Sequence, residues 1–96
     1  RILLALNELG ESYPRELSRL LETPLSSVQG ALRALERDGL VAGRTFGRNR
    51  MFMINPLYFA VAQLRPYLAR LALADTGLME VLGHVRRRPR RTGKAL

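Results

Sequence analysis

The sequence predicts an α+β domain, mainly α with one small β-hairpin, and three observations predict it. Apolar residues recur with helical spacing in three short segments punctuated by glycine and proline. A single pair of β-prone segments flanks a glycine turn, and further helical apolar spacing follows Asn55-Pro56. Ninety-six residues allow one domain and a tail, and 47% hydrophobic residues suffice for a core.

The elements follow in order. Ile2, Ala5, Leu6 and Leu9 share one helical face, and Gly10 stops that helix. Pro14 sits in the first turn of a second helix, where its missing N–H has no partner to lose, and Leu17, Leu20 and Leu21 form its apolar stripe. Tyr13 packs across its start. Thr23 as N-cap and Pro24 as first residue open a third helix over 24–38, with Val28, Ala31, Leu32 and Leu35 as its inward stripe and Gly39 as its stop. Leu40 to Phe46 and Arg50 to Ile54 are the hairpin strands, joined by Gly47-Arg48-Asn49. Asn55-Pro56 starts a fourth helix through Leu57, Phe59, Val61 and Leu64, with a kink or short break expected at Pro66. Asp75-Thr76-Gly77 is a break, and Leu78, Val81, Leu82 and Val85 mark a last short helix. The organisation is then 1–56 as a winged helix-turn-helix layout, 57–85 as C-terminal helices, and 86–96 as a basic tail with little to bury, expected to be disordered alone.

Net charge is +8, and its placement is uneven. Up to Asp38 acids and bases nearly cancel. From Gly39 to Ala74 there is no acid, yet Arg44, Arg48, Arg50, Arg65 and Arg70 lie there, and the tail adds Arg86, Arg87, Arg88, Arg90, Arg91 and Lys94. A polyanion partner, most simply nucleic acid, or a solvated basic surface accounts for this asymmetry. No cysteine is present, which excludes disulfides and thiolate metal sites and fits a reducing cytoplasm. No apolar run approaches the ~18 residues of a membrane span, so no membrane role is expected. No signal peptide is visible, and a sequence opening on Arg1 leaves what precedes it open.

In the helix, helix, tight turn, helix, hairpin order, the third helix enters the major groove and the hairpin, or wing, meets the adjacent backbone or minor groove. The inward stripe leaves Ser26, Ser27, Gln29, Gly30 and Arg33 facing out. Ser26 and Ser27 occupy the first turn, where free N–H groups favour a phosphate. Gln29 suits adenine, and Arg33 suits guanine or phosphate. Gly30 is either a tolerated surface glycine or a place where the backbone approaches DNA closely. Arg44, Arg48, Asn49 and Arg50 crowd the wing with no acid nearby in sequence, so a phosphate or narrow minor groove would relieve their repulsion. Arg15 and Arg19 either brace the DNA backbone or pair with Glu16 and Glu22.

The stretch Leu17-Ser18-Arg19-Leu20-Leu21, then Ser26-Ser27-Val28, then Leu32 to Val41 with Asp38-Gly39-Leu40-Val41, resembles the ArsR/MarR-type winged helix transcriptional regulators over roughly residues 1–56. The resemblance implies double-stranded DNA as the partner and a homodimer as the working form. Asn55-Pro56-Leu57-Tyr58-Phe59 and Thr76-Gly77-Leu78 also resemble winged helix modules in front of nucleotidyltransferase domains. Here the basic tail stands where the Gly-Ser…Asp-x-Asp signature would follow, so no transferase activity is implied. His84 is the lone histidine, expected on a helix surface. A His/Cys metal cluster is therefore impossible within one chain, and no cofactor motif, nucleophile elbow or paired carboxylate points to an enzyme. A small effector is compatible with the fold, but no residue pattern identifies its pocket. The alternative function is a winged helix used for protein contact, as in a regulatory module or antitoxin-like partner. RNA binding would call for aromatics on an open sheet face.

Overall fold

The structure, a computed structural model, describes residues 1–87. The order is α1 (Ile2–Leu9), α2 (Pro14–Leu21), α3 (Leu25–Arg37), β1 (Val41–Phe46), β2 (Asn49–Ile54), α4 (Val61–Leu73) and α5 (Thr76–Arg87). This is the expected α+β winged helix with C-terminal helices. One core gathers Leu6 of α1, Leu17 and Leu21 of α2, Val28 and Leu32 of α3, Val41, Phe52 and Ile54 of the hairpin, and Leu68, Leu78 and Leu82 of α4 and α5. The stripes anticipated on α1, α2 and α3 therefore face this core, with Leu9, Leu20 and Leu35 packed at its margin.

The helix-turn-helix is knit by backbone and short side chains. Ser18 Oγ donates to Thr23 O at 2.6 Å, and Thr23 N donates to Ser18 O at 3.1 Å. Thr23 does not cap α3: its hydroxyl donates backwards to Leu21 O, and Pro24, with extended ψ, is the N-cap, so the helix starts one residue later than expected. Glu22 closes α2 in the left-handed conformation, φ 50° and ψ 49°. An L-residue there costs roughly 1–2 kcal/mol, and a carboxylate at a helix C-terminus opposes the dipole. Glu22→Gly is expected to stabilise the domain by about 1 kcal/mol, raising Tm by roughly 4–8 °C in a melt followed by circular dichroism.

The hairpin pairs Val41 with Ile54 through Phe46 with Asn49 in antiparallel register. Its connection is the two residues Gly47-Arg48 rather than three, because Asn49 already pairs. The positive φ of 64° at Gly47 is what a tight two-residue hairpin turn requires at its first position. On the other edge of β2, Ser12 N donates to Phe52 O and Phe52 N donates to Ser12 O, at 3.0 and 2.7 Å. The fully buried Ser12 thus covers an edge that would otherwise stand open, and its hydroxyl donates to Glu16.

The C-terminal part departs from several expectations. Asn55 does not start a helix. Its side chain accepts from Leu57 N at 3.0 Å, donates to Gly39 O at 2.9 Å, and so makes a turn pinned to the end of α3. α4 begins only at Val61, and Leu57 and Phe59 are left exposed. Of the kink or short break expected at Pro66, the break is absent, and α4 runs from Val61 to Leu73 with Pro66 inside it. The carbonyl it leaves without a helical donor is that of Ala62, an exposed residue, so that carbonyl is open to solvent. The break before the last helix is shorter than Asp75-Thr76-Gly77. Asp75 is its cap, accepting from Leu78 N at 3.2 Å, and α5 starts at Thr76. The Arg1 guanidinium donates to the same carboxylate at 2.8 and 2.7 Å, and with the Leu78 N–H it holds the Asp75 carboxyl below its usual range; the same contact raises Arg1. α5 extends to Arg87, beyond the expected end at Val85, and the rest of the basic tail lies outside the described residues.

Candidate nucleic-acid interface

α3 carries two opposed stripes. Val28 and Leu32 are buried, so Ser26, Ser27, Gln29 and Arg33 are exposed on the other side, with Gly30 partly exposed among them. Arg37, one turn beyond Arg33 and also exposed, extends the same face. No side chain caps the N-terminus of α3; Ser27 N and Val28 N both donate to Pro24 O, at 3.0 and 3.1 Å, so an anion at this end would meet the N–H groups of Leu25 and Ser26. A Cβ built on Gly30 would meet only Arg33 Nη2, at 3.9 Å. Packing within the chain does not require glycine there.

The wing and α3 converge on one open groove of about 440 Å³. Its lining comes from Gln29 and Arg33 of α3, from Arg48, Asn49 and Arg50 of the wing, and from Tyr13, Pro14 and Arg15 at the start of α2. Leu25, Leu32 and Phe52 complete the lining, which contains four arginines and no carboxylate residue. Five of the nine expected site residues thus share this groove. Ser26, Ser27 and Gly30 lie outside it on α3, and Arg44 lies on the opposite face of the hairpin from Arg50.

The arginines are not equivalent. The sequence places no acid near the wing, yet the fold brings two. Arg50 donates to Glu36 of α3, Nη2 to Oε2 at 2.9 Å and Nη1 to Oε1 at 3.4 Å. Arg44 donates to Glu11 at 3.2 Å. Mutual repulsion among the wing cations is therefore relieved in part within the chain. Arg15, Arg33 and Arg48 have no carboxylate partner among the described residues. Arg15, left open between two roles by the sequence, lines the groove. Glu11 and Glu36 were missed because pairs separated by 33 and 14 residues leave no local signal.

Among the described residues no group of three or more His, Cys, Asp or Glu could hold a metal, and no helix is long and apolar enough to cross a membrane. His84 is exposed on α5. No protein-family profile and no curated protein matches the sequence. Among solved structures, the adhesin competence repressor of Streptococcus pyogenes is similar, with a TM-score of 0.58 at 17% identity over 90% of this chain and 71% of that one. At that identity the likeness establishes the fold.

Proposed function

We propose that this chain is a sequence-specific double-stranded DNA-binding transcriptional regulator of the ArsR/MarR type, without enzymatic activity, working in the cytoplasm. α3 lies in the major groove, presenting Ser26, Ser27, Gln29, Gly30 and Arg33. The wing, with Arg44, Arg48, Asn49 and Arg50, lies on the adjacent backbone or minor groove. The observation that carries this reading is the groove where the exposed face of α3 meets the wing, lined by Arg15, Arg33 and Arg48, which have no carboxylate partner among the described residues. Such a surface suits a polyanion with a regular backbone better than an apolar protein partner. A similar fold in a repressor agrees with it.

The test is binding to mixed duplex DNA by fluorescence anisotropy across a salt series, with Arg48→Ala as comparison. Wild type is expected to bind tightly and to weaken with salt. Arg48→Ala is expected to bind more weakly on every sequence, with a log–log salt slope shallower by ~1. Binding no better than that of a generic basic protein, unchanged by the substitution, would favour the protein-contact reading.

The same reading includes a homodimer. Leu57, Phe59, Tyr67 and Leu73 are 89%, 91%, 60% and 67% exposed, apolar side chains that a second copy could cover on the α4 approach and on α4 itself. A two-fold dimer reading a near-palindrome would need its two α3 helices about one DNA turn, ~34 Å, apart. Sedimentation at micromolar concentration is expected to give twice the monomer mass, and Phe59→Glu is expected to return the monomer without loss of helix. A monomeric wild type would remove the dimer from the proposal.

A further inference from the structure

The outer wing has little to hold it in place. Residues 44–50 are all exposed, and a two-stranded hairpin is marginal on its own. The outer wing is nevertheless tied to the body of the domain from both sides. In the hairpin register Arg50 shares a face with Gly43 and Phe52, whereas Arg44 shares the opposite face with Phe46. On the first face Arg50 reaches Glu36 of α3, and on the second Arg44 reaches Glu11 in the α1–α2 connection. Each guanidinium also lies over a ring two residues along its own strand, 5.2 Å from the Phe52 centroid and 5.8 Å from the Phe46 centroid. The seat of Arg50 is shaped to receive it: a Cβ on Gly43 would lie 2.6 Å from Arg50 Nη2 and 2.9 Å from Phe52 Cε1.

We propose that Arg44 and Arg50 are positioning residues, which with Glu11 and Glu36 brace the wing from its two faces and fix its angle to α3, leaving Arg48 at the tip as the wing's phosphate ligand. The last clause rests on the DNA-binding reading; the brace does not. A phosphate approaching Arg50 would have to displace a carboxylate that already holds both of its terminal nitrogens, and would be repelled by it. Arg48 has no such competitor among the described residues. Exposed ion pairs add little to global stability, so the effect belongs to local opening of the wing and not to Tm.

The experiment uses the full chain and two readouts. The first is amide hydrogen exchange of residues 44–51 in the DNA-free protein. Arg50→Gln and Glu36→Gln are each expected to speed exchange there several-fold, and the double variant no further than the larger single effect, with α3 core amides and Tm unchanged. Arg48→Gln is expected to leave exchange as it is. Gly43→Ala alters no charge but crowds both the Arg50 head group and the buried Phe52 ring, and is expected to speed exchange in the wing together with a lowered Tm. If Gly43→Ala fails to fold, the Glu36→Gln arm decides.

The second readout is the salt series on duplex DNA. Glu36→Gln is expected to weaken binding several-fold at an unchanged slope, although removing a negative charge would by itself tighten it. Arg48→Gln lowers the slope by ~1. Unchanged exchange in both single variants, additive effects in the double, tighter binding by Glu36→Gln, or a slope lowered by Arg50→Gln as by Arg48→Gln would each overturn the proposal. A wild type that ignores DNA would refute the regulator reading, and exchange alone would then decide the brace.

Discussion

Leu32→Ala is expected to destabilise the domain by about 2–5 kcal/mol, measured as a lower urea midpoint at an unchanged m-value. Leu32 is 1% exposed and packs in the shared core with Val28, Leu17 and Phe52. Truncation removes three buried carbons and leaves a cavity that α3 cannot close, because the knitted turn at Ser18 and Thr23 fixes its start and the Asn55–Gly39 bond fixes its end. Small domains are held by only ~5–15 kcal/mol, so the change takes away a large share. The same side chain is among those lining the groove shared by Gln29 and the wing. The surviving folded fraction should therefore bind DNA more weakly, because α3 no longer sits at one fixed depth. Leu35→Ala, at the partly buried margin, is expected to cost less than Leu32→Ala, and equal losses would mean that the inward stripe is centred elsewhere.

The helical part of this fold was legible because its signals are local. Stripes such as Val28, Leu32 and Leu35 set which face turns inward, and glycine and proline set the ends within a residue or two. What escaped depends on contacts distant in sequence. Asn55-Pro56 carries a helix-start signature, but the Asn55 side chain is engaged by Gly39, sixteen residues back, and the helix is delayed to Val61. A kink or short break is expected at Pro66 because a proline's missing hydrogen bond is a local rule, and only the break is absent. Whether water can replace that bond depends on which face it lies on. Ser12 gave no strand signal, since a single bridging residue has no period. In the interface the outward residues of α3 followed from the inward ones by geometry. The pairing of Arg50 with Glu36 and Arg44 with Glu11 had no counterpart in the sequence pattern, so three wing arginines that look alike in sequence differ in the structure.

Arg33→Ala is expected to lower affinity for the preferred duplex ~10–100-fold, the 1–3 kcal/mol of one bidentate base contact, while leaving affinity for random duplex within a few-fold. Arg33 sits at the middle of the exposed stripe of α3, lines the groove, and has no carboxylate partner among the described residues. Its fork is therefore free to meet the O6 and N7 of a guanine. Being exposed, it should also leave Tm unchanged, within the ±0.5 kcal/mol typical of surface substitutions, so a binding loss cannot be laid to unfolding. Duplexes selected from a random pool by the wild type, then by the variant, are the measurement. The variant is expected to accept any base at one position per half-site and to keep its preference elsewhere. Arg33→Lys is expected to behave almost as badly as Arg33→Ala, because an ammonium keeps the charge but cannot form the planar double contact. A uniform loss on all sequences, restored by lysine, would instead put Arg33 on the phosphate backbone. Base discrimination by α3 would then fall to Gln29, with specificity drawn increasingly from the shape of the DNA under the wing.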